Sequence, residues 1–446
     1  MSTCPTKVAV LGLDGVPYTL LKLLFADRVM PHLARLAHSG AFLRMHTVLP
    51  PVSSTAWASF MTGANPGRHG IFGFTDLKPN ERALHLPSFD DIRCPVIWQR
   101  LPQKRSVVVN LPFTFPARPL NGMLIAGFVA PDLERSVYPE SLLPWLVSRN
   151  YRIDIDSVRG RQDRRALIAD LFETLHIREE VILTLMEHEP WDLFIGVITG
   201  TDRLHHFFFD AYEDRAHPYH EDFVNYYRRL DAFIGRFVDR LGSSTRLMVL
   251  SDHGFTRLKT QVYLNHILKT MGHLAFTTPA PVSPEDIHPG SRAFAMEPTR
   301  VYLNCRDRFR NGSLSASEAI EFRGKLRSEL AAIGFEDVGI FDPPEGSDSN
   351  ERVFGDVLVK EDVYEGELLP QAPDLVVIPK PGYDVKAGLN PPGATMTDIF
   401  TGMHTHDDAF LIVDDPGTAQ RLPEPYITDV APLILEVLGE VGLEPV

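Results

Sequence analysis

Carboxylate and imidazole side chains follow three apolar runs of the sequence, and one further histidine lies near the C-terminus. The set consists of Asp14, Asp202, His206, Asp252, His253 and His404. Hard carboxylate oxygen and borderline imidazole nitrogen form a mixture of ligands that suits Zn²⁺ or Mn²⁺. Their types and spacing therefore predict a centre for two divalent ions that carries out phosphoryl transfer.

A run of hydroxyl side chains, Ser53, Ser54 and Thr55, could supply the nucleophile for such a centre. Pro50–Val52 disfavours a helix, whereas 56–61 favours one, so one of these hydroxyls stands at a helix N-terminus. An N-cap is the ordinary role at that position. The same position carries partial positive charge and free N–H groups, which favour an alkoxide and a phosphoryl oxygen. We therefore predict that one of the three hydroxyls is a nucleophile that also binds metal.

The charges of these groups also suit two divalent ions. Three carboxylates and one alkoxide carry about four negative charges, which two such ions neutralise. Taken singly, each signal has an ordinary alternative, such as a turn at Asp14-Gly15 or a solvated helical pair at Asp202 and His206. The combination of all the signals in this order is what favours a catalytic centre.

Short β-rich runs alternate with longer helical patterns, which predicts an α/β fold with a mainly parallel central sheet and helices on both faces. The predicted strands are Val8–Leu13, Val107–Asn110, Met123–Phe128, Leu193–Thr199, Leu247–Ser251 and Phe410–Val413. The predicted helices lie at about 17–26, 30–39, 54–62, 164–188, 220–241 and 427–439. Ligands bind at the carboxyl ends of such strands, so Asp14, Asp202 and Asp252 are expected to share one crevice.

The amino-acid composition changes between 262 and 400, where Pro and Gly become frequent. The local sequence there predicts a helix at about 317–333 and a loop at 342–347. It also predicts two strands, Arg300–Leu303 and Leu375–Ile378. We predict a catalytic domain formed by 1–261 and 401–446. The segment 262–400 would be a smaller inserted α+β subdomain that overhangs the site like a lid.

Composition excludes several classes of protein. With 446 residues, 44% apolar content and a net charge of −14, the chain can bury a sizeable core but has no basic surface for nucleic acid. Cys4, Cys94 and Cys305 are too few and too scattered for a disulfide framework. Neither a secretory leader nor an apolar stretch long enough to span a bilayer is evident, so the expected location is the cytoplasm. The oligomeric state is left open.

Several short motifs follow one another along the chain. They are Leu13-Asp14-Gly15, Pro51-Val52-Ser53-Ser54-Thr55-Ala56-Trp57 leading to Met61-Thr62-Gly63, Pro66-Gly67-Arg68-His69-Gly70-Ile71, Thr201-Asp202 with His206, Ser251-Asp252-His253-Gly254-Phe255, Gly402-Met403-His404 and Asp429-Val430-Ala431-Pro432. Together they resemble the motifs of the alkaline phosphatase superfamily. Within it, the chain is most similar to the type I phosphodiesterase/nucleotide pyrophosphatase branch, and the likeness spans nearly the whole chain.

The resemblance implies two sets of metal ligands. One ion, together with the nucleophile, would be held by Asp14, Asp252 and His253. The other would be held by Asp202, His206 and His404. Supporting or lid positions next to these ligands would be taken by His205 and His406.

The resemblance also implies which hydroxyl is the nucleophile. Counting back from Thr62-Gly63 places it at Ser53, with Ser54 and Thr55 in reserve. Sulfatases of the superfamily need a Cys at this position, and this chain has none. Phe74 occupies the position of an Asn with which nucleotide pyrophosphatases usually bind a phosphoryl oxygen.

The function implied is that of a metal-dependent hydrolase, which cleaves small phosphodiesters or phosphomonoesters through a phosphoserine or phosphothreonine intermediate. A phosphomutase of the same superfamily and a catalytically inactive metal-binding relative are the alternatives. A nucleotide-binding module is disfavoured, because the first βα turn, Gly12–Pro17, is not GxGxxG and places a carboxylate where a pyrophosphate would sit.

Overall fold

Most of the apolar runs form one eight-stranded sheet in the computed structural model, which describes residues 6–78, 80–340 and 352–439. Across the sheet, the strands are ordered Ala41–Met45, Ala409–Val413, Thr245–Leu250, Lys7–Leu13, Leu193–Ile198, Ser106–Leu111, Gly122–Ala126 and Val137–Tyr138. The strands from Thr245–Leu250 to Gly122–Ala126 are parallel. Ala409–Val413 and both edge strands run antiparallel to their neighbours. The mainly parallel sheet predicted from the sequence is confirmed.

Helices surround this sheet, and several of them bury apolar side chains in the same core cluster as its strands. They are Tyr18–Ala26, Pro31–Ser39, Ser53–Thr62, Ile97–Arg100, Leu143–Val147, Ser157–Gly160, Arg164–His188, Gly200–Glu213, His220–Val238, Thr418–Arg421 and Val430–Val437. In His220–Val238, for example, Phe223, Tyr227 and Leu230 lie at helical spacing and are fully buried. Among the helices that the structure describes, none has the length and apolar character needed to cross a membrane.

The chain divides into two compact units. The large unit consists of Met1–Asn65, Ser88–Thr256 and Ile399–Val446, and it contains the eight-stranded sheet. The small unit consists of Pro66–Pro87 and Arg257–Asp398. Each unit has its own cluster of buried apolar side chains.

The small unit is an α+β structure. Its largest sheet has the strand order Ala293–Met296, Arg300–Leu303, Leu375–Pro379 and Phe354–Val359, and all described pairings within it are antiparallel. Its other strands are Asp76–Leu77 with Leu84–His85, and Tyr383–Lys386, Thr260–Tyr263 and Thr395–Met396. Its helices are Pro66–His69, Leu264–Thr270, Ala316–Ala332 and Lys360–Val363.

Some elements differ from the sequence prediction. The segment predicted as an insertion, 262–400, did not include 66–87, whose short hairpin lacks a periodic apolar pattern. The helix Gly200–Glu213 was not predicted as an element, and it is interrupted at Phe208, where φ is −139° and ψ is 22°. The loop predicted at 342–347 lies outside the described residues.

The central strand Lys7–Leu13 packs closely against the helix Ser53–Thr62, which we call the Ser53 helix. The indole of Trp57 is fully buried, and a Cβ atom added to Gly12 would lie 2.6 Å from the indole Cη2. Only a glycine therefore allows this approach, because real Cβ contacts are longer.

Gly12→Ala is expected to lower the free energy of unfolding by about 1–3 kcal/mol, because the extra methyl group overpacks the contact with Trp57. Urea denaturation of the full chain measures this change. Gly242→Ala is the matched control in the same unit, since a Cβ there meets nothing within 4 Å. Equal stability of the two variants would contradict the tight packing of the Ser53 helix.

Candidate metal centre

Three neighbouring strands of the sheet bring the candidate ligands to one edge. The parallel strands Thr245–Leu250, Lys7–Leu13 and Leu193–Ile198 lie side by side. Asp14 directly follows the middle strand, and Asp252 follows one neighbour after a single residue. Asp202 lies in the first turn of the helix that follows the other neighbour, Gly200–Glu213, which we call the Asp202 helix. The three carboxylates thus lie at the same edge of the sheet.

Asp14, Asp252 and His253 form the first cluster, and all three are buried. The Nε2 atom of His253 lies 3.7 Å from Asp14 Oδ1 and 3.4 Å from Asp252 Oδ2. One ligand atom from each residue lies within 4.8 Å of the others, which is a separation that a single ion can bridge.

Ser53 reaches the first cluster from the start of the Ser53 helix. Its Oγ atom lies 3.3 Å from Asp14 Oδ1 and 3.3 Å from His253 Nε2. Val52 occupies the N-cap position, so no side-chain hydroxyl caps this helix. The hydroxyls of Ser54 and Thr55 are buried and have no hydrogen-bond partner among the described residues. Of the three hydroxyls, the structure therefore brings that of Ser53 to the cluster.

Asp202, His206 and His404 form the second cluster. His404 Nε2 lies 3.1 Å from Asp202 Oδ1 and 3.0 Å from His206 Nε2, and His206 Nε2 lies 3.5 Å from the same carboxylate oxygen. His404 belongs to the strand Gly402–Thr405, which pairs with Gly254–Arg257 directly after the first cluster. The imidazoles of His253 and His404 stack at 3.9 Å, so the two clusters are adjacent.

Each aspartate of the first cluster uses one oxygen for a protein donor. The indole Nε1 of Trp57 donates to Asp14 Oδ2 at 3.1 Å, and the amide of Gly15 donates to Asp252 Oδ1 at 3.0 Å. The other oxygens face the cluster, and Asp252 Oδ2 is buried with no hydrogen-bond partner among the described residues. Gly15 adopts φ of +67°, where a Cβ would lie 2.9 Å from the ring of Phe255, so this donor position suits a glycine.

Asp202, the aspartate of the second cluster, is held by a charged side chain, the guanidinium of Arg203. Arg203 Nη1 donates to Asp202 Oδ2 at 2.9 Å. Nε and Nη2 of the same guanidinium both donate to Asp154 Oδ2, at 3.1 Å and 2.6 Å. Asp202 therefore directs only Oδ1 at the two histidines. The positive charge of Arg203 partly compensates the charge of this carboxylate.

The hydrogen bonds of the histidines fix which ring nitrogen carries a lone pair. Nδ1 of His253 donates to the carbonyl of Gly254 at 3.1 Å, and Nδ1 of His404 donates to the carbonyl of Pro51 at 2.8 Å. In the neutral rings, both Nε2 atoms are therefore acceptors that face carboxylate oxygens. Acceptors that converge in this way need a cation between them, and backbone carbonyls behind the rings are typical of metal-ligating histidines. The residues present thus fit two divalent ions.

The pKa values show the same need for positive charge. Burial raises the pKa of Asp14 well above its usual range, and the charges of Asp252 and Asp202 add to the rise. Burial also raises the pKa of Asp252, to about 7. Burial acts in the same direction on Asp202, but His206, His404 and Arg203 outweigh it and hold the pKa of that carboxyl well below its usual range. The first cluster therefore needs added positive charge to keep both of its carboxylates ionised at neutral pH.

His205 lies beside the ligands but faces another way. Its Nδ1 donates to the carbonyl of Gly15 at 2.9 Å, and its Nε2 accepts from the hydroxyl of Tyr227 at 2.7 Å. Burial lowers the pKa of this ring to about 4, so it is neutral. Both ring nitrogens of His205 are therefore occupied by hydrogen bonds, one of them to the turn after Asp14.

Comparisons with known proteins agree with this fold. The sequence matches the family described as type I phosphodiesterase / nucleotide pyrophosphatase over residues 8–407. No curated protein matches it.

Solved structures with the same fold have very different sequences. Phosphonoacetate hydrolase from Sinorhizobium meliloti 1021, in complex with phosphonoformate, is 15% identical with a TM-score of 0.63, and the alignment covers 98% of this chain and 97% of that chain. Murine ectonucleotide pyrophosphatase / phosphodiesterase 5 is 12% identical with a TM-score of 0.54, over 98% of this chain and 96% of that chain. The human counterpart is 13% identical with a TM-score of 0.54, and the alignment again covers 98% and 96%. At these identities the structures establish the fold alone.

The family match extends from the first strand of the sheet to beyond His404, and so it includes every residue of both clusters. The resemblance to the type I phosphodiesterase/nucleotide pyrophosphatase branch, on which the sequence prediction relied, is confirmed. The chain belongs to the type I phosphodiesterase / nucleotide pyrophosphatase family and is a phosphoric ester hydrolase.

Proposed function

We propose that this protein hydrolyses small phosphodiesters or phosphomonoesters at a two-metal centre through a phosphoserine formed on Ser53. The observation that carries the proposal is the position of the Ser53 hydroxyl, 3.3 Å from both a carboxylate oxygen and an imidazole lone pair of the first cluster. A hydroxyl in such a position is an activated nucleophile once a cation lies beside it.

The ligands of the two ions follow from the two clusters. The first ion would be held by Asp14, Asp252 and His253, with Ser53, and the second by Asp202, His206 and His404. When bound, the ions would lower the pKa of the attacking hydroxyl and neutralise charge on the phosphoryl group and the leaving oxygen. Imidazole with carboxylate favours Zn²⁺, with Mn²⁺ as the alternative.

The chain itself binds and orients the phosphoryl group. Because Val52 is the N-cap and no side chain caps the Ser53 helix, the free N–H groups of its first turn can donate to phosphoryl oxygens. Ser53 Oγ releases its proton to solvent and forms a bond to phosphorus as the bond from phosphorus to the leaving oxygen breaks. Water then cleaves the bond from Oγ to phosphorus, which releases the phosphoryl product and restores the hydroxyl.

Known complexes of relatives support a small anionic substrate. The phosphonoacetate hydrolase was solved with phosphonoformate and with phosphonoacetate, and an inactive threonine-to-alanine variant of the murine relative was solved with AMP. These ligands share an anionic phosphorus group. We propose that the present centre recognises an anionic phosphorus group of its substrate in the same way. We also propose that the protein is located in the cytoplasm.

We expect about two divalent ions per chain, and chelation should abolish hydrolysis of aryl phosphoesters. Binding to the folded state alone should also raise the free energy of unfolding, by about 3 kcal/mol per site at a free ion concentration one hundred times Kd. Elemental analysis, nitrophenol release and thermal unfolding with and without chelator measure these effects.

Asp252→Asn is the comparison for the ion experiment, because it keeps an oxygen that can accept from Gly15 but removes one charge of the first cluster. It should bind about one ion fewer. A parent protein that contains no Zn, Mn or Fe and gains no activity from any of them would disprove the two-metal proposal.

Ser53→Ala should lower turnover by about 10³-fold or more and abolish the phosphoryl-enzyme, since it removes the nucleophile. Intact mass after acid quenching detects the intermediate, and ion content reports whether the second cluster is preserved. Ser59→Ala, a buried serine of the same helix whose hydroxyl donates to the carbonyl of Thr55, is the matched control. Near-normal turnover of Ser53→Ala, with loss of activity in Ser54→Ala or Thr55→Ala, would reassign the nucleophile.

A further inference from the structure

The Asp202 helix is broken two residues after the second of the two candidate ligands that it supplies. Asp202 and His206 lie in its first two turns, and Phe208 then departs from helical geometry. Such a break leaves backbone groups on both sides without their usual partners within the helix. Buried groups of this kind need other partners, because an unpaired buried backbone group destabilises the fold.

One residue from another part of the chain fills this break. The amide of Thr401 donates to the carbonyl of His206 at 2.7 Å, and the amide of Phe209 donates to Thr401 Oγ1 at 2.8 Å. Thr401 is 8% exposed, so both bonds are shielded from water. A single threonine thus replaces bonds on both sides of Phe208.

The same residue leads into the strand that carries the third ligand. Thr401 precedes the strand Gly402–Thr405, so only two residues separate it from His404. The next residue approaches the helix closely, since a Cβ added to Gly402 would lie 2.5 Å from the carbonyl oxygen of His205. The Nε2 atoms of His206 and His404 lie 3.0 Å apart. The backbone on which these two side chains stand is joined close to both of them, by the hydrogen bonds of Thr401 and by the close approach of Gly402.

An ion site is sensitive to this connection, because metal–ligand distances tolerate changes of only about 0.2 Å. Residues that orient ligands without touching the ion typically change its affinity by about 10–100-fold. The first cluster does not depend on the same contact, since its residues follow the strands Lys7–Leu13 and Thr245–Leu250.

We propose that Thr401 is a positioning residue of the second cluster. By bridging the break in the Asp202 helix, it sets the separation of His206 and His404 and so the affinity of the second ion, an inference that rests on the two-metal function proposed above. Its hydroxyl contributes to the site through the amide of Phe209, without contact with the ion or the substrate.

Calorimetric titration of the chelator-treated full chain with Zn²⁺ tests the proposal. Thr401→Val keeps the size and the backbone amide of the residue but removes the acceptor for the amide of Phe209. We expect the first ion to bind as in the parent and the second to bind about 10–100-fold more weakly. Thr401→Ser, which keeps the hydroxyl, should restore the parent affinity.

Thr418→Val is the matched control. This threonine is fully buried in the same unit, and its hydroxyl has no hydrogen-bond partner among the described residues. The same substitution there should leave both ion affinities unchanged. Thermal unfolding in chelator, measured for each variant, separates a general loss of stability from a change at the second cluster.

The possible outcomes are distinct. If the parent binds two ions and Thr401→Val binds both with parent affinity, the role of Thr401 is wrong and the two-metal function stands. An equal loss of affinity for both ions would show general loosening and would also overturn the role. A parent that binds fewer than two ions overturns both proposals. If Thr401→Val does not fold, Thr401→Cys, whose sulfur is a weaker acceptor, must still show the selective loss of the second ion.

Discussion

Repulsion between like charges at one edge of the sheet is the constraint on which the rest of this site depends. Asp14, Asp252 and Asp202 are buried together, and the lone pairs of two imidazoles face them. The protein limits the cost by giving each carboxylate one fixed donor and leaving the other oxygen directed inward. This arrangement keeps the oxygens oriented, so little reorganisation would be needed for the proposed cations to bind.

The donors differ in charge, and this makes the two clusters electrically unequal. The first cluster receives neutral donors, from the indole of Trp57 and the amide of Gly15. The second receives the guanidinium of Arg203, which Asp154 shares. In the two-metal centre proposed above, a divalent ion in the second cluster would meet less negative charge, so more of its own charge would remain for an anionic group that approaches from outside. The side of the centre near Asp202 would therefore be the more electrophilic one.

The strands, the carboxylates at their ends and the candidate ligands could be predicted from the sequence, because these depend on local patterns and on the geometry of parallel sheets. Arg203 directly follows Asp202, and Trp57 lies two residues after Thr55, but nothing in the local sequence shows which carboxylate oxygen each of these donors will reach. Thr401 was missed for a similar reason, since the break at Phe208 that it fills is a tertiary feature. The association of 66–87 with the small unit also depends on long-range packing.

The order of the strands has a consequence for how the chain folds. Ala409–Val413 lies between Ala41–Met45 and Thr245–Leu250 in the sheet. Among the described strands, Ala41–Met45 therefore has no partner in this sheet until Ala409–Val413, the last strand of the sheet in the sequence, is in place. His404 lies just before that last strand, after the whole segment Arg257–Asp398 of the small unit. Closing so long a loop is entropically costly and is typical of slow folding. During synthesis on the ribosome, the residues of the first cluster therefore emerge well before the second cluster can be completed.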